Sequence, residues 1–126
     1  MSGFIRENDG KMPTEYNFAH TRLASYGTLA PGKINHHQLD GLEGNWTSGT
    51  IRGRLVTVDR GVHKGLIGLV IDEGAEPVPV QIFHSADLPA HWDRLDAFEG
   101  ELFRRVVATI STDDGTIEAS LYKIMV

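Results

Sequence analysis

One stretch of this chain, about 86–98, carries the start and stop signals of a helix, and the apolar runs on either side of it read as strands. Ser85 or Asp87 can cap its start, Pro89 is tolerated in a first turn, and Gly100 stands ready to end it. A single long helix among strands points to an α+β arrangement in which the helix flanks a sheet or barrel.

The strand signals are local. Leu23, Ala24 and Tyr26 supply a short buried strand. The run 48–58 alternates apolar with polar and is rich in β-branched residues, with Gly53 marking a bulge or the close approach of another backbone. Two short apolar runs follow at 66–71 and 78–83, the second with Pro79 at an edge or strand start. Late in the chain, 103–110 and 117–126 are joined by Asp113-Asp114-Gly115, a hairpin signal. These strands could close much of a small sheet or barrel. Residues 1–20 mix Gly, Ser, Asn and charge without periodicity and are expected to fray or drape over the surface, leaving 21–126 as one domain.

The first strand breaks at Gly27 and again at Pro31-Gly32. In such a loop a glycine lets backbone N–H groups turn inward, and successive inward amides form a small anion nest. A helix over 33–42 would add its own unpaired amides. An ordinary strand-to-turn corner has the same sequence signature.

On the long helix, Leu88, Trp92, Leu95 and Phe98 form one apolar stripe at 100° per residue, and Glu99 falls on that stripe. A carboxylate there is costly to ionise, and the negative end of the helix dipole adds to the cost. Both effects raise its pKa and suit it to proton transfer near neutral pH. The alternative is a helix that ends one residue earlier, with Glu99 in solvent or paired with Arg104 or Arg105.

Composition removes several function classes. The net charge is −5, from 12 Lys plus Arg against 17 Asp plus Glu, with no basic block longer than Arg104-Arg105, so a nucleic-acid backbone is not the expected partner. The absence of cysteine excludes disulfides, thiolate catalysis and iron–sulfur clusters. The six histidines show no chelating spacing, so no metal site is expected and they read as surface or loop residues. No signal peptide or membrane span is visible, and a cytoplasmic location is the default expectation.

Tyr26-Gly27-Thr28-Leu29 and, much later, Leu95-Asp96-Ala97-Phe98-Glu99-Gly100 followed by Phe103-Arg104-Arg105-Val106 together resemble the gamma-glutamylcyclotransferase-like superfamily. The resemblance extends over the Gly49 to Leu55 strand and the closing strand with Tyr122. It implies a small mixed β-barrel with flanking helices and a cavity at one end. It places Tyr26, Gly27, Thr28 and Leu29 at the anionic end of a glutamyl group, and Glu99 as general acid and base. Tyr122 and Arg104 are candidates for the cavity wall, alternation leaving open which face each takes. The chain departs from the family pattern with Pro79 where glycine is common and Phe83 where tyrosine is common, which bears on cavity shape and hence on the leaving group.

The chemistry so implied is metal-independent and needs no organic cofactor. The α-amino group of a γ-glutamyl amine or peptide attacks its own γ-carbonyl, releasing 5-oxoproline and a free amine or amino acid, and one glutamate carries the proton. The reading from another class is a non-catalytic binding module that holds a small amino acid or amine in the same cavity.

Overall fold

The computed structural model describes residues 18–125, so the expectation for the first 17 residues falls outside what is described. Of the remaining residues expected to drape, Ala19 is buried and belongs to a 3₁₀ turn, Ala19–Thr21, whose carbonyl at Ala19 accepts the Ser120 hydroxyl. The strands are β1 (Arg22–Ser25), β2 (Asn45–Thr57), β3 (Ile67–Ile71), β4 (Pro77–His84), β5 (Phe103–Thr112) and β6 (Gly115–Ile124). The helix α1 is Trp92–Glu99.

The strands hydrogen-bond in the order β3-β2-β4-β1-β6-β5, and a further pairing of β2 with β5 turns β2, β4, β1, β6 and β5 into a closed barrel. Closure occurs at Thr50 opposite Ser111. There the chain must come close: a Cβ on Gly49 would lie 2.7 Å from the Ser111 carbonyl oxygen, a contact only glycine avoids. Gly53 plays the expected close-approach role, its missing Cβ making room for the Val70 carbonyl on β3. β1 runs parallel to β6, and the other pairings are antiparallel. Pro79 lies inside β4 opposite Thr50 of β2, and β1 covers only the later residues of β4, so the missing N–H breaks no ladder on that side.

Ile51, Leu69, Val80, Ile82, Ile110 and Leu121 are part of the barrel interior. Leu23, Leu88, Trp92 and Leu95 form a second layer that clamps α1 on the outside. An isolated eight-residue helix does not persist in water. Here fully burying Leu88 and Leu95, worth roughly 1.5–3 kcal/mol each, and the bond from Trp92 Nε1 to the His20 carbonyl (2.9 Å) hold it.

Two helix expectations are corrected. The α-helical part of 86–98 begins only at Trp92, because Leu88–His91 is a 3₁₀ turn with Pro89, which lacks an N–H, in its first residues and an Ala90-to-Asp87 bond closing it. Neither expected residue caps this start with its side chain: Asp87 holds the cap position without a side-chain bond, and Ser85 Oγ accepts the Asp87 amide at 3.1 Å in a turn just before it. The segment 33–42 forms a 3₁₀ turn at His36–Leu39, since the Asn35 amide is drawn away to the Thr28 carbonyl (2.9 Å). Phe98 leaves the buried stripe and is 40% exposed.

Candidate functional site

A cavity of about 380 Å³ opens where the loop after β1, the end of α1, β6 and the β2–β3 hairpin meet. Tyr26, Gly27, Thr28, Leu29, Tyr122 and Glu99 all line it, so the structure brings together every residue expected there except Arg104. Arg104 is exposed and lies in a separate recess with Asp96 and Arg105.

The loop is built so that its carbonyls are occupied. Gly27 C=O accepts the Ala30 amide at 3.2 Å, Thr28 C=O accepts the Asn35 amide at 2.9 Å, and Leu29 C=O accepts His36 Nδ1–H at 3.0 Å. Asn35 Nδ2 also donates to Thr28 Oγ1 at 3.0 Å. In a trans peptide the N–H points opposite the preceding C=O. The amides of Thr28 and Leu29 are therefore turned away from the groups that hold the Gly27 and Thr28 carbonyls. Neither has an acceptor among the described residues. Gly27 N–H is taken by Ser25 Oγ at 3.3 Å. Gly27 itself is not in the left-handed region, and a Cβ on it would meet no protein atom within 4 Å. A Cβ there would stand in open space, and Gly27 is one of the residues that line the cavity.

Tyr26 contributes position, because its hydroxyl donates to the Tyr122 carbonyl (2.6 Å) and accepts the Leu69 amide (3.1 Å). Burial pushes its pKa up to about 12, so it stays a neutral phenol. The Tyr122 hydroxyl donates to Asp96 Oδ1 at 2.6 Å, and burial again raises its pKa.

Glu99 is the last residue of α1, which ends at Gly100 (φ 86°) with the Gly100 amide bonded to the Asp96 carbonyl at 3.1 Å. The helix therefore keeps Glu99 on the cavity wall, half-buried. Desolvation pushes its pKa up to about 7. The two arginines do not reach it as partners: Arg105 forks onto Asp96 instead, Nε to Oδ1 at 2.9 Å and a second nitrogen to Oδ2 at 3.2 Å. That pair, with the guanidinium 4.5 Å from the Trp92 ring centroid, holds Asp96 below the ordinary carboxylate range.

Sequence reasoning missed Asp96, Arg105, Asn35 and the wall from the β2–β3 hairpin. The residues flagged as departures from the family pattern do not line the cavity: Pro79 lies in β4, and Phe83 is buried behind the cavity in the cluster with Leu29 and Tyr122 and stacks on Trp46, ring centroids 4.9 Å apart. His36, taken for a bland loop residue, holds the Leu29 carbonyl.

A closed five-strand barrel, with an amide-bearing loop and, among the described residues, one carboxylate lining the same cavity, defines a small α+β barrel protein. The family model for gamma-glutamyl cyclotransferase, AIG2-like proteins matches residues 23–126, and the chain belongs to that family. Among solved structures it is similar to YkqA from Bacillus subtilis, with 23% identity and a TM-score of 0.62, covering 82% of this chain and 35% of that one. The chain thus spans about a third of YkqA. An AIG2-like protein from mouse matches at 20% identity and TM-score 0.61, over 82% and 76% of the two chains. A protein described as gamma-glutamyl cyclotransferase matches at 14% identity and TM-score 0.59, over 83% and 66%. These likenesses establish the fold. A comparison with curated proteins returned no match. Among the described residues no helix is long and apolar enough to cross a membrane.

Proposed function

We propose that this protein is a cyclotransferase that converts a γ-glutamyl amine or peptide to 5-oxoproline and a free amine or amino acid, with Glu99 as the group that moves the proton. The observation that carries this reading is the pairing, in one cavity, of two unclaimed amides at Thr28 and Leu29 with a half-buried carboxyl whose pKa lies near 7.

The cavity lining among the described residues includes no Lys, Arg or His. The α-carboxylate of a glutamyl group, or the oxyanion formed at its γ-carbon, is then met by backbone N–H groups, which need no reorganisation as charge develops. The α-ammonium faces Glu99. Ionised Glu99 takes a proton from it, and the freed nitrogen attacks the γ-carbon, forming the ring C–N bond. Collapse of the tetrahedral adduct breaks the original amide bond as Glu99 returns its proton to the departing nitrogen. The ring nitrogen sheds one further proton in becoming a lactam N–H, and the amine departs as an ammonium ion. Because nucleophile and electrophile belong to one molecule, folding it correctly supplies an effective molarity of ~10⁵ M or more.

The test is release of 5-oxoproline from γ-glutamyl-alanine, γ-glutamyl-ε-lysine, a γ-glutamyl monoamine and glutathione, each with Glu99→Gln beside the wild type. Product from at least one substrate, lost in the variant, is expected. Silence across the panel with saturable ligand binding would assign the cavity to a binding module instead. We further propose that the protein acts in the cytoplasm, which subcellular fractionation checks.

A further inference from the structure

The amide loop and Glu99 come from distant parts of the chain, and one residue touches the elements that carry both. Through its backbone carbonyl Tyr122 accepts the Tyr26 hydroxyl, fixing the residue that opens the loop. Through its own hydroxyl it donates to Asp96, which lies one turn before Glu99 on α1. Arg105 grips Asp96 from β5, directly opposite Tyr122 in the β5–β6 ladder, and the guanidinium lies over Trp92 at the start of the same helix. Asp96 is not part of the cavity lining. Whatever it does to chemistry there is exerted through Tyr122 and α1.

We propose that Asp96 is a positioning residue, which through Tyr122 sets the gap between the 26–29 loop and Glu99. The inference rests on the reading of Glu99 as the proton carrier. Its physical ground is that helix ends fray and that a half-buried ionisable group gains by turning into water. Glu99 sits on the last residue of a short helix and gains from both movements. The Tyr122–Asp96 bond is a side-chain tether one turn upstream, and Phe98, between them, is too exposed to anchor the turn by burial.

The tether also adds no net charge beside Glu99, since Asp96 is balanced by Arg105. The groups facing Glu99 from neighbouring elements are the phenols of Tyr26, after β1, and Tyr122, on β6, with the Asp96–Arg105 pair lying beyond Tyr122. A tether made of a neutral phenol and a compensated carboxylate holds the turn without pulling the Glu99 proton off.

The experiment combines steady-state kinetics with ¹³C NMR titration of the Glu99 carboxyl in Tyr122→Phe, Asp96→Asn, the double variant, and Ile110→Val as a barrel-core control. Tyr122→Phe changes no charge. It is expected to lower kcat about ten- to hundredfold with KM nearly unchanged, and to move the Glu99 titration down by about one pH unit as the carboxyl hydrates. The double variant is expected to be no worse than the worse single one, as for two groups acting through one bond. Ile110→Val, at a comparable loss of Tm, should leave both readouts where they are.

Asp96→Glu, which keeps the charge and alters the reach, serves if Tyr122→Phe does not fold, and is expected to shift the same two readouts. Unaltered Glu99 titration and kcat in a folded Tyr122→Phe or Asp96→Glu, or additive losses in the double variant, would overturn the proposal. If the wild type released no 5-oxoproline, the cyclotransferase reading would fail. The titration needs no turnover and would still decide whether the tether exists.

Discussion

Asp96 and Glu99 stand one turn apart on α1 with their carboxyl groups driven in opposite directions. The forked bond from Arg105, together with the Tyr122 hydroxyl, holds Asp96 below the ordinary carboxylate range. Burial against the cavity wall, where the described lining residues include no cation, brings Glu99 to about 7. One helix turn thus separates an anchor whose charged form is favoured from a group that gains and loses a proton near neutral pH. Divergence of this kind is what distinguishes a proton carrier from its supports.

That divergence predicts how stability depends on pH. Glu99 titrates near 7 in the fold and near 4.5 when unfolded, so the folded state binds the proton more tightly. Its contribution is fully present below about pH 4.5 and is lost as pH rises through about 7. Glu99→Gln is therefore expected to raise Tm at pH 8, by up to about 3 kcal/mol of stability, and to match the wild type at pH 4. Thermal melts at the two pH values check this, and an equal effect at both would mean that Glu99 is not titrating in the fold. In turnover, kcat/KM should climb about tenfold per pH unit toward pH 7 and then level as Glu99 becomes ionised.

Gly27 gives a second prediction, because the fold has no need of it. Its backbone is in a region open to any residue, and a Cβ there touches nothing. Gly27→Ala should leave stability unchanged or raise it by about 0.4–1 kcal/mol, through the narrower unfolded ensemble. If a substrate approaches the loop as closely as two free amides imply, the added methyl costs at least tenfold in kcat/KM, about 1.4 kcal/mol. Melting and kinetics on one variant separate the two demands. Retained kcat/KM would show that no ligand comes near this backbone.

How much of this was legible in the sequence follows from range. Gly100 as a helix stop, Glu99 on the apolar stripe and the Asp113-Asp114-Gly115 hairpin all depend on neighbours within a turn, and all are present. That no α-helix forms over 33–42 was not legible, because what prevents it is the Asn35 amide reaching back to Thr28 across the loop. The Asp96–Arg105–Tyr122 network was missed, although part of it had a local signal. With Thr112 opposite Gly115, counting seven rungs back from the turn places Arg105 against Tyr122. Which strand closes the barrel, and therefore where the cavity opens, depends on the single meeting of Thr50 and Ser111, and no periodicity announces it.

The last prediction concerns the leaving group. Leu55 and Ile67 are 50% and 55% exposed, yet they lie on the same face of the β2–β3 hairpin as Leu69, which is completely buried in the core. Both line the cavity, and Leu66 and Phe98, 41% and 40% exposed, extend the same apolar wall. A leaving group laid on that wall gains by being apolar, whereas a carboxylate next to the scissile nitrogen would be desolvated there without a counter-ion. Across γ-glutamyl ethyl-, butyl- and hexylamines, kcat/KM should rise two- to fourfold for each methylene that reaches the wall, which corresponds to at most about 0.8 kcal/mol per group buried. Replacing Leu55 by Asn should flatten that rise chiefly through KM, since the wall holds the bound substrate and the transition state alike. A slope that survives Leu55→Asn and also Phe98→Ser would mean that the alkyl chain lies elsewhere, and equal rates for γ-glutamyl-alanine and the butylamine would mean that the wall does not choose the leaving group.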